Sequence, residues 1–96
     1  MKTFAEGLAT RTAFALPQQI MGEHLDDFLL VSDDDIRRAV VLMIDATHNL
    51  VEPAGAAALA AALKIKERLS GRRVALVCSG GNISSAQLRE ILEAGL

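Results

Sequence analysis

Apolar and polar positions along the chain change period several times, and each change marks an element. Val74-Ala75-Leu76-Val77-Cys78 is apolar and partly β-branched, the pattern of a short buried strand. Ser79-Gly80-Gly81-Asn82 then reads as a sharp strand-to-helix turn, with a helix from Ile83 onward. Asp27-Phe28-Leu29-Leu30-Val31 is a second buried-strand candidate, ending at Ser32-Asp33-Asp34-Asp35. Ser32 is a good N-cap, and the acidic residues after it complement the positive end of a helix dipole. The helix it opens, about Asp33 to Thr47, carries Ile36, Ala39, Val40, Met43 and Ile44 on one stripe. Val41 and Leu42 widen that stripe, which suggests cover on two sides.

Elsewhere the pattern is simpler. Residues 1–16 have no clean period and predict an irregular lead-in with one short strand. Pro17 suits a first helical position, with a helix over Gln18 to His24 that Gly22 weakens. Glu52-Pro53 opens the next helix. From Ala54 to Leu63 it has no polar side chain, so it is expected to be buried all round. Lys64, Lys66, Glu67 and Arg68 return it to solvent, and Ser70-Gly71 ends it. Ser84-Ser85-Ala86-Gln87 fits a capping box, and Leu88, Ile91 and Leu92 give the last helix a core face.

This order predicts a single α/β unit over residues 1–96: a small parallel sheet of two to three strands with four helices. Such a sheet is thin, and the apolar helix at Ala54 to Leu63 has too little chain around it to be covered. That mismatch predicts a larger partner surface.

Composition narrows the function classes. With 51% apolar residues the chain is not disordered, and 96 residues make one small domain or part of a larger one. Three Phe, no Trp and no Tyr argue against a base-stacking platform. A net charge of −2, with no basic cluster beyond Arg72-Arg73, argues against nucleic acid. The single cysteine, Cys78, cannot form an internal disulfide and fits a reducing cytoplasm. No run is long enough to span a membrane, and no basic-then-apolar signal opens the chain, so membrane association is not expected.

Few residues are candidates for chemistry. In Ser79-Gly80-Gly81-Asn82, glycine permits φ > 0 and close approach of a flat or charged ligand. Ser79 and Asn82 supply hydrogen-bonding side chains. The alternative is a tight connection with Asn82 in a left-handed position and nothing bound. Glu52 either points a carboxylate into a site or stabilises the helix dipole as a first-turn acid. His48 is a proton carrier or a helix-end residue, and His24 reads as a surface residue. Cys78 reads as a small apolar residue inside its strand. Asp33, Asp34 and Asp35 fan out around a helix start and read as caps rather than metal ligands.

Two longer motifs carry a family resemblance. Val51-Glu52-Pro53-Ala54-Gly55-Ala56-Ala57-Ala58 and Val74-Ala75-Leu76-Val77-Cys78-Ser79-Gly80-Gly81-Asn82 together resemble the C-terminal end of the catalytic domain of threonine dehydratases (threonine ammonia-lyases). These belong to the tryptophan-synthase-β-like group of pyridoxal-phosphate enzymes. Thr3-Phe4-Ala5-Glu6-Gly7-Leu8-Ala9 and Ser32-Asp33-Asp34-Asp35-Ile36 resemble further family segments, in order. The resemblance implies a cofactor site lined by Ser79, Gly80, Gly81, Asn82 and Glu52, with Ser79 on the pyridine nitrogen. It implies deamination of threonine or serine to a 2-oxo acid and ammonia, in a homo-oligomer acting on a small amino-acid substrate.

Other family parts have no counterpart here. The cofactor-linking lysine lies in a motif Ser-x-Lys-x-Arg-Gly, and Lys2, Lys64 and Lys66 lack those surroundings. The loop that holds the cofactor phosphate is rich in glycine, whereas the longest glycine run here is Gly80-Gly81. The resemblance therefore implies a truncated chain, a proteolytic product or a shortened gene, with no catalytic residue of its own and no cofactor bound by this chain alone. A self-standing oligomerisation or binding module that keeps the fold without the chemistry is the alternative. A small phosphate or nucleotide binder using the 79–82 turn is a third reading.

Overall fold

The computed structural model describes residue 3, residues 5–8 and residues 13–94. They form a 3-10 turn, Glu6–Leu8, and five helices: α1 Ala15–His24, α2 Asp33–Thr47, α3 Pro53–Lys64, α4 Lys66–Leu69 and α5 Ser85–Glu93.

The pairing of α2 with α3 carries the core. α2 begins where its sequence says it must. The Ser32 hydroxyl accepts from the Asp35 amide at 3.0 Å, and the Asp35 carboxylate accepts from the Ser32 amide at 3.0 Å, completing a capping box. Ile36, Ala39 and Val40 are its buried face. The helix ends at His48, which adopts a left-handed conformation (φ 57°, ψ 30°) while its amide donates to the Ile44 carbonyl at 2.9 Å. α3 starts with Pro53 at its first position and buries Gly55, Ala56 and Ala60, of which Ala56 and Ala60 join the core cluster with Ile36, Ala39 and Val40 of α2. Val51, Ala5 and Ile91 of α5 complete the buried cluster. Ser84 caps α5 by accepting from the Gln87 amide at 3.1 Å.

Several expectations change here. The parallel sheet is not present among the described residues. Residues 27–31 and 74–78 carry no regular secondary structure and belong to no ladder. Phe28 is 71% exposed, Leu30 78% and Val77 77%. A strand is complete only when a neighbour takes its amides and carbonyls, and neither stretch forms a ladder with another described segment. Cys78 is accordingly exposed rather than buried.

The early strand expected within residues 1–16 falls partly outside the described residues. Where the chain is described it forms the 3-10 turn and the start of α1. α1 opens at Ala15, two residues before Pro17, because the first helical amides have no intrahelical acceptor and proline sacrifices nothing there. α3 is not buried all round: Leu63 is exposed and Ala57, Ala58 and Leu59 are half-buried. It stops at Ile65 (φ −115°, ψ 23°), so the expected continuous helix is two, α3 and α4.

Candidate functional site

The start of α3 and the turn at 79–82 meet backbone to backbone. Val51 is buried, and it holds Glu52 at the N-cap of α3 in extended conformation (φ −71°, ψ 158°). The Glu52 amide donates to the Gly80 carbonyl at 3.1 Å. The Glu52 side chain does not cap the helix. Its carboxylate lies against Gly80 instead: a Cβ placed on residue 80 would stand 2.0 Å from Glu52 Oε1. On the far side of the same residue, a Cβ on Gly55 would stand 2.7 Å from the Gly80 carbonyl oxygen. A Cβ on Gly81 would lie 3.1 Å from the Leu50 carbonyl oxygen. The turn closes with the Ile83 amide donating to the Gly81 carbonyl at 2.9 Å, and Ser84 then opens α5.

Glycine is needed here for approach, not for handedness. Among the described residues, positive φ occurs at Gly71 and His48, so Gly80, Gly81 and Asn82 all lie outside the left-handed region. The positive φ expected for the glycines and Asn82 is not adopted, and close contact at the glycines takes its place. Gly80 and Glu52 are half-buried, while Ser79, Gly81 and Asn82 are exposed.

All five candidate site residues therefore belong to one junction, with Glu52 and Gly80 in contact. Gly55 and Leu50 were missed as members of it. A signal for Gly55 existed: a glycine in the second half-turn of a helix otherwise built from alanine weakens the helix unless something needs the space.

Other candidates lie elsewhere. His48 is the exposed C-cap of α2, and His24 is exposed beside Glu23. The aspartates are used locally. Asp33 accepts from the Thr3 hydroxyl, Asp34 pairs with Arg37 at 2.6 Å, and Asp35 completes the capping box. The two hydrogen bonds with Ser32, first that to its backbone amide, hold the Asp35 carboxyl below its ordinary value. No group of three metal-ligating side chains occurs among the described residues. No helix among them is long and apolar enough to cross a membrane.

Chemically, the junction offers a neutral hydroxyl, an amide side chain and backbone groups beside a carboxylate. That set suits the nitrogen edge of an aromatic heterocycle. It does not suit a phosphate, because the Glu52 carboxylate stands there and no cation is paired with it among the described residues.

Comparison with known proteins gives that chemistry a family. The model of the family described as "Pyridoxal-phosphate dependent enzyme" matches residues 1–80. The chain belongs to the pyridoxal-phosphate-dependent enzyme family, and pyridoxal phosphate is the cofactor of the family's complete enzymes. Within it, the chain is 31% identical over 94 residues to an L-threonine ammonia-lyase of Thermotoga maritima, covering 98% of this chain and 23% of that protein. It is 34% identical over 91 residues to a catabolic L-threonine dehydratase of Escherichia coli, covering 93% of this chain and 28% of that one. The crystal structure of a serine racemase from Dictyostelium discoideum superposes with a TM-score of 0.79 at 34% identity, over 88% of this chain and 28% of the racemase. The chain thus spans about a quarter of the length of the curated relatives it matches.

Proposed function

We propose that this chain supplies the ring-nitrogen wall of a pyridoxal-phosphate site in an ammonia-lyase that deaminates threonine or serine to a 2-oxo acid and ammonia. The observation that carries the reading is the Glu52 amide to Gly80 carbonyl bond at 3.1 Å, which joins the two family-like motifs into one surface. The residues present fit one edge of the cofactor, since Ser79 and Asn82 are exposed on the turn and Ser79 adjoins the seated Gly80. Bound pyridoxal phosphate supplies an electron-withdrawing ring that activates the amino acid.

The chain's own groups tune that ring. The Ser79 hydroxyl donates to the pyridine nitrogen, or accepts from it, without a charge of its own. A neutral partner does not hold the nitrogen protonated as a carboxylate would, so electron withdrawal is weaker. That favours expulsion of a β-hydroxyl over transamination. Glu52, fixed by its own amide, sets its carboxylate beside the turn and keeps anions from it. Gly80, Gly81 and Asn82 leave the ring edge free of bulk.

The same reading makes the 96-residue chain inactive alone, because the cofactor-linking lysine motif and the phosphate loop have no counterpart in it. Borohydride reduction of the chain with pyridoxal phosphate, followed by mass mapping, is expected to label no single lysine in preference. Stoichiometric labelling of one lysine overturns the inertness. The family assignment of the reaction is tested in the flanking DNA. A frame that carries Ser-x-Lys-x-Arg-Gly and a glycine-rich loop supports it, and its absence counts against it.

A second reading has its own observation. Phe28, Leu30 and Val77 are exposed, which favours an oligomerisation module that covers them with another copy. Light scattering at micromolar concentration separates the two: a clean monomer removes the second reading.

A further inference from the structure

The junction has a part that neither motif chemistry nor the proposed wall accounts for, the missing side chain at Gly55. Glycine is the poorest helix former after proline, and α3 uses alanine at seven of its other positions. Yet Gly55 is buried, and the atoms facing it are backbone: a Cβ there would stand 2.7 Å from the Gly80 oxygen and 3.2 Å from the Gly80 nitrogen. Backbone cannot rotate away as a side chain can. The Gly80 carbonyl is itself held by the Glu52 amide at 3.1 Å, and the Glu52 carboxylate presses on Gly80 from its other side. Gly80 is thus clamped between the helix surface at residue 55 and the carboxylate at residue 52.

We infer that Gly55 is a positioning residue, which sets how deeply the 79–82 turn seats on α3 and so where the Ser79 hydroxyl stands relative to Glu52. This deepens the proposed cofactor wall and rests on it for its purpose. A side chain at residue 55 lifts the turn off the helix, stretches the Glu52 to Gly80 bond and carries Ser79 with it. The inference concerns α3 and the turn alone, so it can be read in the 96-residue chain without cofactor.

The test is amide hydrogen exchange by NMR on the full chain and on Gly55→Ala. Exchange at the Glu52 amide is expected to rise at least tenfold, with shifted resonances from Ser79 to Ile83. Exchange at Val40, buried in α2, is expected to stay within twofold, which a general loss of stability would not allow. If Gly55→Ala does not fold, Gly81→Ala reads the same lock at its looser point, 3.1 Å from the Leu50 oxygen, and a smaller rise at Glu52 is expected. Gly22→Ala, where a Cβ meets nothing within 4 Å, is the control. Unchanged exchange at Glu52, or a rise matched at Val40, overturns the inference. If the rise is local but the flanking DNA lacks the lysine motif, Gly55 keeps its positioning role and the proposed reaction falls.

Discussion

The Glu52 amide and the Gly80 carbonyl are 3.1 Å apart, so the entry to α3 and the turn before α5 are one unit. Gly80→Ala tests its side-chain half. The new methyl meets Glu52 Oε1, the end of a flexible side chain, which can swing aside. The expected loss is about 1 kcal/mol, the low end for overpacking. Glu52→Ala in the same chain removes the obstacle, so a double-mutant cycle in urea should show positive coupling between the sites. Additive losses would mean the carboxylate does not occupy that space.

Capping of α2 is a separate, local contribution. Ser32→Ala deletes the hydroxyl that accepts from the Asp35 amide, and loss of a cap costs about 1 kcal/mol. In a chain of this size that lowers the unfolding midpoint by about 4–8 °C. Ser32→Asp keeps an acceptor and should retain most of the stability.

Asp35 adds a pH dependence with a definite sign. Its carboxyl titrates below the ordinary 3.8 because both Ser32 hydrogen bonds favour the charged form. A value lower in the folded than in the unfolded chain gives a stabilising share complete above 3.8, lost as pH falls through the folded value. Thermal unfolding from pH 6 downward should therefore show a shallower acid loss in Asp35→Asn than in the parent. Equal slopes would remove Asp35 from the account.

Ile91 docks α5 on the core and is 1% exposed. Ile91→Ala should cost about 2–5 kcal/mol, the range for a truncated buried aliphatic side chain. A marginal domain loses much of its folded population at that cost, and circular dichroism in urea reads it directly.

Cys78 reports on the segment around it. Its exposed thiol should react fully with a disulfide reagent in the absence of denaturant, at a rate close to that in urea. Protection by more than about tenfold would show that the 74–78 segment is covered in solution.

Legibility in the sequence followed the range of the physics involved. α2 was readable to its ends, Asp33 and Thr47, because a cap, a first-turn charge pattern and a stripe are all local. The start of α3 was readable from Glu52-Pro53 for the same reason. The strands expected at 27–31 and 74–78 are not formed among the described residues, because strand pairing and burial depend on chain that must lie alongside. Spacing alone also could not bring Glu52 to Gly80. The family resemblance grouped them, and the structure supplied the contact. Gly55 was passed over because its meaning lies in a residue far along the chain.

The interruption at Ile65 has a mechanical consequence. It separates Lys64, at the end of α3, from Arg68 in α4. Lys64 Nζ donates to the Leu30 carbonyl at 3.1 Å and Arg68 reaches Asp27 at 3.4 Å, so the two cations grip one segment at two points. Such exposed contacts add little stability, but they give direction. One irregular residue turns the end of a helix into a two-point bracket, and the 27–31 segment is aimed before any strand has paired with it.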